Sequence, residues 1–365
     1  MSIHLLTFAV MIQNYLARIL FMPFAILYGI GVEIRNFLYK KKLLKGVTFD
    51  IPIISVGNLA VGGAGKTPHI EYLIMLLKPY IDIATVSRGY KRKTKGYLEV
   101  QAGHNAEQVG DEPLQYKRKY RDILVSVAEN RTFAIPKLMM ANENLQAVLL
   151  DDAFQHRAIV PGLNILLTEH DYLFTRDFLL PVGRLREWKS GYHRADIIIV
   201  SKCPPTMSDK HRAIITKEIA PLSFQKIFFS YYKYANPYYL FNGAQRIQLR
   251  EDVDVLLICA IAKTDYLTTY LEECVQSLKT LEYEDHRYFT EFDISNLVTH
   301  YRAIEGTKKI ILTTEKDAMR LELHRKFLIE NKLPIFVLPI QVGFHFNEGP
   351  VFDADIKQFL QDFKV

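Results

Sequence analysis

The chain has 365 residues, 49% of them hydrophobic and 24% charged, and a net charge of +6. That is more than one ordinary core organises, so two domains are expected, and the balance is that of a globular protein without low-complexity tracts. So mild a charge suits an anionic substrate or membrane surface and, with no recognition motif present, argues against a nucleic-acid binder. Cys203, Cys259 and Cys274 are scattered without metal-ligand spacing, so no disulfide framework is expected and a reducing cytoplasm is the default.

Between Met1 and Val32 the only formal charge is Arg18. The uncharged run 19–32 is interrupted by Pro23, Gly29 and Gly31 and is shorter than the roughly 20 residues a spanning helix needs. Arg35, Lys40, Lys41, Lys42 and Lys45 follow. An interfacial anchor, a buried helix and a transmembrane span all fit this pattern. The aromatic-rich apolar face with lysines directly after it puts the anchor first. With no basic n-region and no small-residue cleavage site, a signal peptide is not expected.

From residue 51 onward short apolar runs alternate with helical stretches. Strands are predicted at 51–56, 83–87, 123–128, 147–150, 164–168, 196–201 and 226–230. Near-continuous apolar strands between helices read as a parallel sheet covered on both faces, a doubly wound α/β domain. The stretch 231–239 is tyrosine-rich and turn-rich and reads as a linker or a pair of short extended strands. Strands at 253–260, 282–288, 309–313 and 334–338 then alternate with helices again, as in a second, smaller α/β domain.

The sharpest motif follows the first strand. Ala60-Val61-Gly62-Gly63-Ala64-Gly65-Lys66-Thr67 departs from G-x-x-x-x-G-K-[ST] only in having Ala60 at the first position. Gly62 and Gly63 supply the backbone freedom to wrap a phosphate. The helix expected from Gly65-Lys66, with Pro68 in its first turn, aims its N-terminal N–H groups at the anion. Lys66 is expected to neutralise the β/γ oxygens and the Thr67 hydroxyl to ligate Mg²⁺. Leu149-Leu150-Asp151-Asp152 is an apolar strand ending in two acids, the form of the second half of such a metal site. A guanine reader of the Asn-Lys-x-Asp type belongs after strand 196–201. Ser201-Lys202-Cys203-Pro204 stands there instead, which favours ATP over GTP.

Transfer to a hydroxyl needs a base aligned with the γ-phosphoryl. The local candidate is Asp111 in Val109-Gly110-Asp111-Glu112-Pro113, in a turn fixed by Gly and Pro; an ordinary turn carboxylate fits the turn equally well. The basic stretches around Arg88 and Lys117 suit a substrate phosphate, a headgroup surface or a plain solvated face. Asp285-His286 and Thr314-Glu315-Lys316-Asp317 each follow a predicted strand, where cleft residues of open α/β sheets sit. Residue chemistry alone does not single out His286.

Several segments then occur in one order between about Ile51 and Asp317. They are Ser55-Val56-Gly57-Asn58-Leu59 running into the loop 61–68, Ser87-Arg88-Gly89-Tyr90, Gly110-Asp111-Glu112-Pro113 and Leu150-Asp151-Asp152-Ala153-Phe154-Gln155-His156-Arg157. Leu180-Pro181-Val182-Gly183-Arg184-Leu185-Arg186-Glu187, Asp285-His286 and Thr313-Thr314-Glu315-Lys316-Asp317-Ala318 complete the set. Together they resemble the tetraacyldisaccharide 4'-kinase (lipid A 4'-kinase) family. That family's P-loop also lacks the usual first glycine. Ala153 in place of glycine and Trp188 in place of proline are departures that touch none of the proposed chemistry.

The resemblance implies a P-loop NTPase-like doubly wound parallel sheet, a second, smaller α/β domain and an N-terminal membrane-associated helix. The expected division is 1–45 for that helical segment, 46–230 for the P-loop kinase domain, 231–245 for a linker and 246–365 for the C-terminal α/β domain. It implies ATP, Mg²⁺ and transfer of the γ-phosphate to the 4'-hydroxyl of an acylated glucosamine disaccharide 1-phosphate in lipid A (lipopolysaccharide) biosynthesis. The setting is the cytoplasmic face of the inner membrane, reached peripherally or monotopically, with no obligate protein partner. Catalysis falls to Asp111, assisted by His286, and to Lys66. Nucleotide binding falls to Val61, Gly62, Gly63, Ala64, Gly65, Lys66, Thr67, Pro68, Arg186 and Glu187, and metal binding to Thr67, Asp151 and Asp152. Arg88, Glu112, Gln155 and His156 are expected at the substrate. A membrane-associated P-loop ATPase switch without a lipid acceptor is the competing reading.

Overall fold

The structure is a computed structural model that describes residues 2–364, with side chains from Arg18 onward. Its first element is one helix, Ser2–Lys40, that runs through Pro23. The interruption expected at Pro23, Gly29 and Gly31 does not occur: one missing N–H and two glycines are outweighed by the helix-forming Leu, Ile, Phe and Ala residues on both sides. Arg18–Lys40 is therefore long and apolar enough to cross a membrane by length and composition, although the uncharged run 19–32 within it is shorter than a span. Ala25 is buried, whereas Ile19, Leu20, Phe24 and Leu27 are all more than half exposed. Of the expected membrane segment, Met1 and the side chains up to residue 17 lie outside the described residues.

The chain divides into two compact units. The first comprises Met1–Lys66, Leu149–Tyr231 and Phe344–Val365. Within it Ile53–Asn58 pairs with Leu163–Glu169, which pairs with Ile197–Ser201, which pairs with Lys226–Tyr234, all in parallel. The first and third of these strands are buried from end to end, as the apolar runs 51–56 and 196–201 predict for a sheet covered on both faces. Leu59, Phe154, Leu166, Leu185, Val200 and Phe229 share one core, which Ala25 of the N-terminal helix joins.

The second unit comprises Thr67–Val148 and Tyr232–Gly343. Asp82–Ser87 lies parallel to Leu124–Val127, with Leu98–Glu99 antiparallel on the latter. A six-stranded sheet runs in the order Asn242–Arg246, Tyr238–Tyr239, Ile335–Leu338, Lys309–Thr314, Asp254–Cys259, Ser277–Glu282. The last four strands are mutually parallel, and the tyrosine-rich stretch supplies the short antiparallel strand Tyr238–Tyr239. The strand expected at 282–288 lies instead at Ser277–Glu282. It is an edge strand with no buried residue, so it carries no apolar run to announce it. Residues 283–288 cannot continue it, because His286 takes a left-handed conformation with φ +58°.

A charge cluster with two buried glutamates ties three helices of this unit together. Lys119, at the end of Asp111–Lys119, lies 2.5 Å from Glu71 Oε2 on Lys66–Leu77 and 2.7 Å from Glu315 Oε1 on Glu315–Leu321. Gln115 Nε2 donates to Glu71 Oε1 at 2.8 Å. Burial and the nearby Glu315 push the Glu71 carboxyl up from 4.5 to about 7, against the pull of Lys119. A carboxyl whose pKa is higher folded than unfolded contributes stability below its unfolded value and loses it as pH rises through the folded one. Glu71→Gln cannot ionise and should lack this decline. Its melting temperature minus that of the wild type is expected to grow by a few degrees between pH 4.5 and pH 7.5. Thermal unfolding across that range checks it, and a constant difference would contradict it.

Candidate active site

The phosphate loop leaves the strand Ile53–Asn58 and enters the helix Lys66–Leu77. Gly62 and Gly65 sit at φ +109° and +85°, a region only glycine enters without strain, so the loop's turn depends on them. The loop is anchored within the first unit. Val61 N–H donates to the Arg184 carbonyl at 2.7 Å, and Ser201 Oγ donates to the Ala64 carbonyl at 2.8 Å. Lys66 Nζ donates to Asn58 Oδ1 at 3.3 Å and stands 3.7 Å from Asp152 Oδ1.

Arg186 locks this corner. Its Nη1 and Nη2 donate to the two carboxylate oxygens of Asp152 at 3.1 and 2.8 Å, and Nη2 also reaches Asn58 Oδ1 at 2.6 Å. A bidentate pair of this kind fixes orientation as well as charge. Asp151, the last residue of Leu145–Asp151, is buried, and Asp152 turns out of the strand with φ +49°. Glu187 is buried and accepts from Gln155 Nε2 and Arg194 Nη2, both at 2.9 Å. The N-terminal helix reaches the same residues. Tyr28 Oη donates to the Arg186 carbonyl at 2.8 Å, Asn36 Nδ2 to Glu187 Oε2 at 3.4 Å, and Arg35 Nη2 to the Gln155 carbonyl at 3.0 Å.

The second unit carries Asp111, the base expected from the sequence. Asp111 is not in a free turn, as the Gly-Asp-Glu-Pro run suggests, but is the first residue of the helix Asp111–Lys119, entered through Gly110 at φ +92°. An acid there faces the positive end of the helix dipole, and Pro113 is tolerated because the first turn has no N–H partners to lose. Asp111 is only 4% exposed. Its Oδ1 accepts from the Glu112 N–H at 3.0 Å, and its Oδ2 lies 3.0 Å from His286 Nδ1. Burial alone raises a carboxyl pKa, but the His286 hydrogen bond and the charges of Lys316, His286 and Arg320 outweigh it and hold Asp111 well below the usual carboxylate range. An ionised carboxylate only accepts, so Nδ1 of His286 carries the hydrogen.

Glu112 bridges onward: Lys316 Nζ lies 2.7 Å from its Oε1, and Thr67 Oγ1 donates to the same oxygen at 3.4 Å. Lys316 is held above the ordinary lysine range by Glu112 and Asp111 despite its burial. Tyr90 packs against His286 with ring centroids 4.8 Å apart.

Thus Lys66, Asp152, Gln155, Arg186 and Glu187 meet in the first unit, and Thr67, Asp111, Glu112 and His286 in the second. His156 is half-buried and Arg88 is exposed. Asn58, Lys316 and Arg320 also take part, although the sequence assigns none of them a role. A polar residue closing an otherwise apolar strand is the signal that marks Asn58. Among the described residues no group of three or more His, Cys, Asp and Glu side chains stands ready to hold a metal. Asp151 and Asp152 are hard oxygen donors, which suits Mg²⁺, an ion that takes one or two carboxylates and keeps waters and substrate phosphates for the rest.

A strand–loop–helix phosphate cradle with Gly-Lys-Thr, acids closing a buried strand and a buried Asp–His pair define a P-loop phosphotransferase. The model of the tetraacyldisaccharide-1-P 4'-kinase family matches residues 17–361, and the chain belongs to that family. It is 42% identical over 358 residues to a tetraacyldisaccharide 4'-kinase of Flavobacterium johnsoniae, covering 96% of this chain and 99% of that one. It is 40% identical to the protein of the same name from Bacteroides fragilis, covering 93% and 92%. The fold resembles the crystal structure of LpxK from Aquifex aeolicus in complex with ATP, with a TM-score of 0.69 and 26% identity over 94% of this chain and 99% of that one.

Proposed function

We propose that the chain transfers the γ-phosphate of ATP to the 4'-hydroxyl of a tetraacyldisaccharide 1-phosphate, a step of lipid A biosynthesis. The observation that carries this reading is the family match across residues 17–361, nearly the whole chain. ATP is assigned to the loop 61–68 with Arg186 and Glu187. Lys66 offers a cation to the oxygens of the transferring phosphoryl, where charge spreads in a loose transition state. Mg²⁺ would be held by the Thr67 hydroxyl and the carboxylates of Asp151 and Asp152, and when bound it supplies charge neutralisation on the phosphates.

Asp111 accepts a hydrogen bond from the attacking hydroxyl and takes its proton. Held so strongly ionised, it orients the nucleophile before it acts as a base, which suits a transition state with little bond formation to the acceptor. His286 keeps the carboxylate oriented. Arg88, Glu112, Gln155 and His156 are assigned to the sugar-phosphate substrate. Exposed Ile19, Leu20, Phe24 and Leu27, with Lys40, Lys41, Lys42 and Lys45 after them, support docking on anionic lipid at the cytoplasmic face of the inner membrane. There the acyl chains of the acceptor stay in the bilayer.

The test is to incubate full-length protein with γ-labelled ATP and a tetraacyl disaccharide 1-phosphate in mixed micelles. Label is expected in the lipid, with little ATP turnover when the lipid is omitted. ATP hydrolysis at an undiminished rate without lipid would favour a membrane-associated ATPase switch and overturn the kinase reading.

A further inference from the structure

The proposed function assigns no role to Arg320 or Asp317, yet they are 1% and 0% exposed. They stand three residues apart on the helix Glu315–Leu321 and form an ion pair between Arg320 Nη2 and Asp317 Oδ1. Asp317 is fixed from several sides. Thr314 Oγ1 donates to its Oδ2 at 2.6 Å, and the Ala260 N–H donates to its Oδ1 at 3.2 Å. A charge this deeply buried persists only with partners, and the partners Arg320 has chosen are informative. Nη2 donates to the Ala260 carbonyl at 3.0 Å and Nη1 to the Arg287 carbonyl at 3.2 Å. The Ala260 carbonyl also accepts the N–H of His286 at 3.1 Å. The guanidinium therefore grips the carbonyl of the residue directly after His286 and shares with the His286 N–H the carbonyl of Ala260. Its Nε has no hydrogen-bond partner among the described residues and lies 3.8 Å from Asp111 Oδ2.

His286 needs that grip. Its φ of +58° is a left-handed conformation that is strained in a non-glycine residue and survives only where the surroundings over-determine it. A purely structural core pair accounts for the burial of Arg320 and Asp317. It does not account for a guanidinium whose acceptors are the carbonyls beside one member of the acid–base pair and whose uncommitted N–H group faces the other.

We infer that Arg320, oriented by Asp317, is the positioning residue of the Asp111–His286 pair: it holds the His286 loop by the Arg287 carbonyl and through the Ala260 carbonyl shared with the His286 N–H, and Asp111 by its charge. The inference rests on Asp111 being the base, as proposed above. Asp111 is faced by His286 from the loop, whose other ring nitrogen lies 3.9 Å from Asp285, by Lys316, Asp317 and Arg320 from the helix, and by Glu112 and Tyr288 beside it. With Arg320 neutralised, His286 and Lys316 remain, but Asp111 has lost one cation and its carboxyl must protonate at higher pH than before.

The experiment compares wild type, Arg320→Met, Arg320→Lys, Asp317→Asn and Asp111→Asn, all full length, by initial rates over a range of ATP and lipid concentrations and of pH. Folding is monitored by circular dichroism. Arg320→Met and Asp317→Asn are expected to lower kcat by about 10- to 100-fold with KM for ATP little changed. In Arg320→Met the acid limb of the pH–rate profile should move to higher pH. Arg320→Lys, which keeps the charge near Asp111, should return that limb toward the wild-type position. Should Arg320→Met fail to fold, Asp317→Asn and Arg320→Lys decide: reduced kcat in both supports the inference. A folded Arg320→Met or Asp317→Asn enzyme with wild-type kcat and acid limb, beside an inactive Asp111→Asn, would overturn the positioning role alone. Full activity in Asp111→Asn would overturn the base assignment and this inference with it.

Discussion

Replacing Asp111 by Asn should lower kcat for lipid phosphorylation by about 10²- to 10⁴-fold while leaving ATP binding almost untouched. The side chains are nearly isosteric, so no cavity forms. What changes is the charge that three groups converge on: the His286 Nδ1 donor at 3.0 Å, Arg320 Nε at 3.8 Å and Lys316, which is also paired with Glu112. An amide in that place cannot take a proton. It also turns an N–H₂ or a neutral oxygen toward donors that already have hydrogens to give. A second readout follows from the same charge. The Asp111 carboxyl is held below its ordinary value in the folded chain, so the stability it contributes is present above about pH 4 and is lost as pH falls through the folded value. The variant should therefore melt below the wild type at pH 7, and the gap should narrow in acid. Equal melting temperatures at pH 7 together with wild-type kcat would show that the buried carboxylate does none of this.

Lys66→Met should cost about 10²- to 10³-fold in turnover, the usual consequence of removing one preorganised donor from a developing charge. Its effect on stability should be small. The 3.7 Å approach to Asp152 is long, Asp152 is 37% exposed on its side chain, and Arg186 continues to hold both of its carboxylate oxygens after Lys66 is gone. Pairs of this exposure contribute at most about 1 kcal/mol. The two variants are thus separable. Asp111→Asn should lose kcat with unchanged KM for ATP and a pH-dependent melting deficit. Lys66→Met should weaken the handling of ATP as well and melt close to the wild type. Kinetics over both substrates with parallel thermal unfolding distinguish them, and identical profiles would contradict the assignment of the two residues to different partners.

The parts of the site that were legible in the sequence are those where residue type and short spacing do the chemistry. A Gly-rich loop before Lys66-Thr67 is one, and two acids closing an apolar strand are another. Contacts between distant segments are of a different kind. His286 lies 175 residues from Asp111, and a histidine after a strand carries no mark of its partner; the resemblance to a family, not residue chemistry, brought the two together. Arg320 was silent because an arginine on a helix normally lays its stem along the surface and keeps its head in water, and nothing local says that this one is buried. Gly and Pro punctuate both turns and helix starts, so Asp111 reads as a turn residue, and the dipole-facing position that distinguishes them needs residues 111–119 to fold as one helix. The edge strand Ser277–Glu282 has no apolar run to mark it, and Pro23 and two glycines read as breaks in the N-terminal helix although their neighbours outweigh them.

The most direct measurement is the position of the phosphate in the product. Full-length protein, ATP and a tetraacyl disaccharide 1-phosphate are incubated, and the lipid is examined by mass spectrometry and two-dimensional ¹H–³¹P correlation. The account predicts a gain of one phosphate with its phosphorus coupled to the proton on the 4' carbon of the distal sugar, and no such product from Asp111→Asn. An unphosphorylated lipid beside consumed ATP, or a phosphate on any other hydroxyl, would contradict it.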